Sequence, residues 1–323
     1  MAEWGAVEID GQRVAYEWLE VDVRTPQQRE ADALAGHLSG DPAVVLPGHG
    51  ETVASPDRLT KAAAALSSAG IAWCIDIGTP AGGDPVKARA LGLIARDRIA
   101  ALFSASARPE LSPRSSPRAT LIGWSHGGGE ALRSAEYDPA VFPRVAGLCP
   151  TGLIERRPRN LLIGFLIEVM HIVWTALVRR DGRALRDSLR VGFDILRGMA
   201  CDLVRSRSPR RVLDDIRWAS RKVPGPGFGY GGDVALVFAR DDTVIRWQAV
   251  FPTSAMPEEI PAHLEDYRRI NFPKAARLRV SVLEGDHLSP ESAAAGYART
   301  AYALLGVEPA DGGLDLVPRR TGS

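Results

Sequence analysis

Apolar and polar positions change period several times along the chain, and each change marks an element. Val7, Ile9, Val14 and Tyr16 alternate with polar residues around Asp10-Gly11, which predicts a hairpin at a sheet edge. Ala43 to Leu46 is a short apolar run that ends at Pro47-Gly48-His49-Gly50, and it reads as a buried strand. Residues 57 to 69 place Leu59, Ala63 and Leu66 on one helical face. Ile71 to Ile75 is a second buried strand, and residues 86 to 103 return to a period near 3.6. Ala119 to Gly123 is a third strand, 128 to 137 a helix, and Val145 to Cys149 a fourth strand. After residue 232 the alternation resumes. Strands are predicted at Val234–Phe238 and Leu278–Val282, and helices at 257–270 and 290–305. Wholly apolar strands alternating with helices predict a parallel sheet covered on both faces.

Between 153 and 222 the pattern differs, with no strand-like run. Leu161 to Val178 is almost wholly apolar, and 183 to 204 is amphipathic. A hinge rich in Gly and Pro, Pro224 to Gly229, closes this stretch. The chain therefore divides into an α/β core, 1–152 with 232–323, and an inserted helical segment, 153–231. The 161–178 run nearly reaches the length of a membrane span, but Glu168 and His171 lie at its middle. It reads as a buried or substrate-facing helix, with a helix lying at a membrane surface as the alternative.

Composition narrows the function classes. The chain has 323 residues, 45% apolar and 24% charged, with a net charge of +1, so neither a nucleic-acid binder nor an acidic tail is indicated. The charge is uneven. Residues 151–231 carry sixteen Lys or Arg against eight Asp or Glu, a net +8, which leaves the remainder near −7. That excess suits either a solvated face or contact with an anionic substrate, an acidic carrier protein or a lipid surface. Cys74, Cys149 and Cys201 are far apart and odd in number, so reduced thiols in a cytoplasmic protein are expected. Residues 1–5 lack a basic segment followed by an apolar core, and no signal peptide is read there. None of the four lysines is followed by Ser or Thr, which excludes a standard phosphate-binding P-loop. No zinc-protease, calcium-loop or Cys/His ligand spacing appears, so neither a catalytic metal nor a cofactor is expected.

The chemistry-bearing motif is Gly123-Trp124-Ser125-His126-Gly127, led into by an apolar strand and followed by Gly128-Gly129 and a helix. A turn of this kind holds a serine in strained, exposed backbone, and the helix N-terminus behind it favours negative charge. The alternative, a glycine-rich turn binding a dinucleotide, fails on spacing. Gly48-x-Gly50 is followed by Val53, and Gly127-x-Gly129 by Leu132.

In these features, over about residues 7 to 305, the chain resembles the α/β-hydrolase superfamily, specifically esterase-like serine hydrolases with a helical cap (lid). The resemblance implies the α/β-hydrolase fold: a mostly parallel sheet flanked by helices with an inserted α-helical cap. It implies Ser125 as nucleophile, followed in chain order by an acid and a histidine. The acid falls at Asp242, after the strand Val234–Phe238, with Asp241 as the alternative register and Glu155 as a more distant one. The histidine falls at His287, directly after the last strand. His37 and His49 precede the serine, while His171 and His263 lie away from strand ends. The oxyanion hole would use the backbone N–H groups of His126 and His49. Pro47-Gly48 stands where the family commonly has His-Gly, and a proline offers no N–H. The elbow residue is Ser rather than Asp, unlike the haloalkane dehalogenases and epoxide hydrolases. The implied reaction is hydrolysis of an ester of a small, partly apolar acyl substrate through an acyl-enzyme. Thioester, amide or carbon–carbon hydrolysis on the same residues, or a non-catalytic ligand-binding homologue, are the alternatives.

Overall fold

The computed structural model describes residues 2–35, 38, 40–48, 53, 57–78, 80, 84–104, 118–160, 163, 164, 166, 167, 170, 174, 178, 217 and 220–307. The strands are β1 Glu3–Ile9, β2 Gln12–Asp22, β3 Ala43–Leu46, β4 Ile71–Ile77, β5 Thr120–Trp124, β6 Arg144–Leu148, β7 Asp233–Ala239 and β8 Arg277–Leu283. They form one sheet in the order β1-β2-β4-β3-β5-β6-β7-β8. The hairpin β1–β2 is antiparallel and joins β4 antiparallel, while every pairing from β4 to β8 is parallel.

The helices are α1 Pro26–Ala35, α2 Asp57–Leu66, α3 Asp84–Ser104, α4 His126–Tyr137, α5 Trp247–Val250, α6 Ile260–Asn271, α7 Ser289–Ser292 and α8 Ala294–Leu305. Strand side chains alternate between two cores. Val44, Leu46, Leu121, Val145, Leu236 and Phe238 share one with α3 and α4. Ala43, Val45, Ile122, Ala146, Ala235 and Ala239 share the other with α2 and α8. That second layer is rich in alanine on both sides, with Ala62, Ala63, Ala64, Ala298 and Ala301 on the helices. Small facing residues let helix and sheet approach closely without voids. Parallel strands buried on both faces are apolar throughout, which is why they read as unbroken runs.

Three departures have local causes. α1 lacks an apolar stripe, and its one buried residue is Asp32. A reciprocal cap defines it instead: Gln28 N–H donates to Thr25 Oγ1 at 3.2 Å and Thr25 N–H to Gln28 Oε1 at 2.8 Å. Arg24 then ties the helix to the end of β2, bridging Asp22 and Asp32 at 2.9 and 3.0 Å. α4 begins at His126, two residues before the predicted start, because the serine turn feeds the helix directly. The predicted helix 290–305 is split at Ala293 into α7 and α8.

Between β6 and β7 the chain runs 84 residues, yet the two strands pair side by side. The amphipathic run 183–204 and Cys201 lie outside the described residues. In the 161–178 run the described positions are helical, but they are not buried. Ile163, Leu166, Ile167, Met170, Trp174 and Val178 are each half exposed or more, and Gly164 is buried instead. Among the described positions of this run, Gly164 packs against Thr243 and Val244. Apolar content alone does not say which face of a helix is covered. Among the described residues no helix is long and apolar enough to cross a membrane.

Candidate active site

The parallel strands β3, β5, β7 and β8 deliver their following loops to one rim of the sheet, where open α/β sheets bind ligands. Ser125 occupies the turn between β5 and α4 with φ 52° and ψ −116°, a conformation rare for a residue with a side chain. Its N–H donates to Leu148 O at 2.9 Å, and its carbonyl accepts from Thr151 N–H at 2.9 Å and Gly128 N–H at 3.0 Å. Backbone bonds on either side thus hold the strained residue. The flanking glycines are steric requirements. A Cβ at Gly123 would lie 2.0 Å from Gly127 O. One at Gly127 would lie 2.4 Å from Pro47 O and 2.5 Å from Leu46 O, so the loop after β3 packs directly on the serine turn.

Ser125 Oγ lies 2.8 Å from His287 Nε2, and His287 Nδ1 lies 2.8 Å from Asp242 Oδ2. The His287 and Asp242 side chains are almost wholly buried. Two residues hold the His287 loop. Trp124 Nε1 donates to His287 O at 3.1 Å. Asp286 Oδ1 accepts from Leu288 N–H and from Ser289 Oγ, both at 3.0 Å. Asp242 Oδ1 accepts from Val244 N–H at 2.7 Å and Ile245 N–H at 2.6 Å. Burial alone would raise the Asp242 carboxyl. The imidazole beside it and these N–H donors outweigh burial and hold it below its ordinary value. Asp241 and Glu155, the alternative acids, are exposed. The structure therefore brings together Ser125, Asp242 and His287 from three separate loops.

His126 is the first residue of α4, where a backbone N–H has no carbonyl partner within its own helix. Its imidazole Nε2 lies 2.9 Å from Glu130 Oε1, one turn along, and Lys87 Nζ of α3 meets the same oxygen. Burial would raise the Glu130 carboxyl, but Lys87 and His126 draw it down to about 2, so it stays ionised. The motif pattern does not mark this triangle; the i,i+4 spacing of His126 and Glu130 is its trace in the sequence. His49 lies outside the described residues, although Pro47 and Gly48 just before it are described.

Cys149 follows β6 with φ 43° and lies beside the same cluster. Ligand atoms of Cys149, Asp242 and His287 fall within 4.8 Å of one another, a donor set that could hold a metal ion. Their hydrogen bonds already engage the imidazole and both carboxylate oxygens. Burial, and then the Asp242 carboxylate, push the Cys149 thiol well above its ordinary range. It is therefore a protonated thiol, a poor nucleophile and a poor metal ligand.

No protein-family model matches the chain, and no curated protein matches it. Solved structures do. The enol-lactonase from Burkholderia xenovorans LB400 is similar with a TM-score of 0.54 at 12% identity, over 94% of this chain and 100% of that one. A deformylase from Pseudomonas putida S16 is similar with a TM-score of 0.53 at 13% identity, over 93% and 100%. A thermophilic esterase from Thermogutta terrifontis is similar with a TM-score of 0.52 at 13% identity, over 95% and 99%. At such identities the likeness concerns the fold, and the chain has the α/β-hydrolase fold.

Proposed function

We propose that the protein is a serine hydrolase that cleaves an ester through Ser125, His287 and Asp242. One observation carries the reading: two consecutive 2.8 Å contacts, hydroxyl to imidazole and imidazole to buried carboxylate. In this reading His287 Nε2 takes the proton as Ser125 Oγ attacks the substrate carbonyl. Asp242 holds the imidazole in the tautomer with hydrogen on Nδ1 and stabilises its cation. Negative charge develops on the carbonyl oxygen at the N-terminus of α4. There the His126 N–H donates, with a second donor from the loop after β3 at His49. Each such donor contributes about 3–4 kcal/mol in the transition state. The protonated imidazole then releases the alcohol, and an acyl-Ser125 remains. Water then gives a proton to Nε2 as its oxygen attacks the acyl carbon, the acyl–Oγ bond breaks, Nε2 returns the proton to Ser125 Oγ, and the acid leaves. The lactonase, deformylase and esterase among the fold's solved relatives support this reading.

The test is covalent. A fluorophosphonate should label the wild type and turn over no further, and a short p-nitrophenyl ester should be hydrolysed. Ser125→Ala should lose both while keeping the same circular dichroism. A folded wild type that resists the fluorophosphonate would instead identify a ligand-binding protein built on this fold.

A further inference from the structure

Six apolar side chains of the segment between β6 and β7 face solvent. Met170 is 73% exposed, Trp174 68%, Val178 63% and Leu166 55%, with Ile163 and Ile167 close behind. Each of these positions is helical. On a regular helix, at 100° per residue, these six sequence positions share about 120° of one face and span roughly 22 Å. Single exposed apolar residues are ordinary, but an aligned row of six marks a contact surface.

We propose that this ridge docks the protein on an anionic lipid surface, with the helix lying in the plane of the headgroups. Shape and charge choose this occupant. An exposed helical ridge enters a lipid interface without needing a matching groove, whereas a protein partner must supply one. Trp174 and Met170, the two most exposed, suit that depth, one amphipathic and the other flexible. Cations precede and follow the ridge in the sequence. Arg157 and Arg159 are exposed just before it, Arg217, Arg221 and Lys222 are exposed on the returning chain, and Arg179-Arg180 follow Val178 in the sequence. Residues 151–231 carry +8 against about −7 elsewhere, so of the whole chain this stretch is the one whose charge complements an anionic surface.

The start of the same run touches the loop that carries Asp242. Gly164 O accepts from Thr243 Oγ1 at 3.4 Å, and Gly164 packs on Val244, whose N–H holds Asp242. Docking would bring the Ser125 rim next to the bilayer and favour esters dissolved in it. The docking itself does not rest on the hydrolase reading, so Ser125→Ala should dock as the wild type does.

Co-sedimentation with vesicles tests it. The full-length protein should pellet with vesicles of phosphatidylcholine and phosphatidylglycerol, stay in solution with phosphatidylcholine alone, and be released by salt. Met170→Glu/Trp174→Glu should abolish pelleting while hydrolysis of a soluble p-nitrophenyl ester is unchanged. Arg157→Gln/Arg159→Gln should weaken partitioning about five-fold for each arginine removed. Wild type that stays in the supernatant with anionic vesicles overturns the proposal, as does a Met170→Glu/Trp174→Glu variant that pellets normally. A dimer in sedimentation velocity that the same double variant dissociates would assign the ridge to a second copy of the chain and overturn it as well.

Discussion

The two oxygens of Asp242 do different work. Oδ2 meets the imidazole, and Oδ1 anchors the turn that carries the residue. An amide at position 242 keeps an oxygen for the backbone donors but faces Nδ1 with an NH₂ group, which selects the wrong tautomer. Asp242→Asn should therefore lower kcat by about 10⁴ with little loss of fold. Asp241→Asn should leave kcat within about two-fold, as expected of an exposed side chain. Steady-state kinetics on the two variants decides between the acids. The sequence left both open because spacing after a strand is uncertain by one residue; in the structure Asp242 is buried against His287 and Asp241 is exposed, which favours Asp242. His287 was more legible, since a histidine immediately after the last apolar run stands apart from five others in less suitable places.

At the scale of elements, α3 and α4 are joined near the serine turn by the triangle Lys87–Glu130–His126. The Glu130 carboxyl is lowered from 4.5 to about 2, so it stabilises the fold above pH 4.5 and loses that contribution as pH falls toward 2. The linkage amounts to about 3 kcal/mol at neutral pH. Glu130→Gln should destabilise the protein by about that much in urea at pH 7, and the gap from wild type should shrink as pH falls below 4.5. A constant gap from pH 7 to pH 3 would show that the ion pairing is not what Glu130 supplies. Gly127→Ala tests a different joint. Its methyl would meet backbone oxygens of Leu46 and Pro47 that cannot swing aside, so the loop after β3 must move away from the serine turn. Stability should fall by about 1–3 kcal/mol, and kcat should fall by more than the unfolded fraction explains. The sheet strands were legible because burial on both faces leaves them no polar positions. α1 escaped periodicity because its inward residue is an aspartate paired with Arg24, although Thr25-x-x-Gln28 spelled its cap. Glu130 escaped because an acid on a helix reads as solvated until its neighbours are placed.

For the whole molecule the open question is how independent the inserted segment is of the sheet. β5, β6, β7 and β8 pair without interruption, and their registers cross the insertion point unchanged, with Gly147 beside both Gly123 and Leu236. Cores on both sides of the sheet are continuous through β6 and β7. The contacts that Gly164 and Arg156 make on the loop 243–244 link the segment to the site. Removing 161–216 would leave 12 residues after β6 and 16 before β7. At about 3.3 Å per extended residue that is ample to cross the sheet from the end of one strand to the start of its neighbour. The excised protein should therefore keep its circular dichroism and a single cooperative urea transition. It should also retain fluorophosphonate labelling at Ser125, because Arg156 and the two backbone donors to Asp242 remain. Its selectivity between short and long acyl esters should change, since Gly164 would no longer pack on Thr243 and Val244 beside Asp242. Aggregation, or a broad non-cooperative transition, would show that 153–231 is part of the core rather than an insertion upon it.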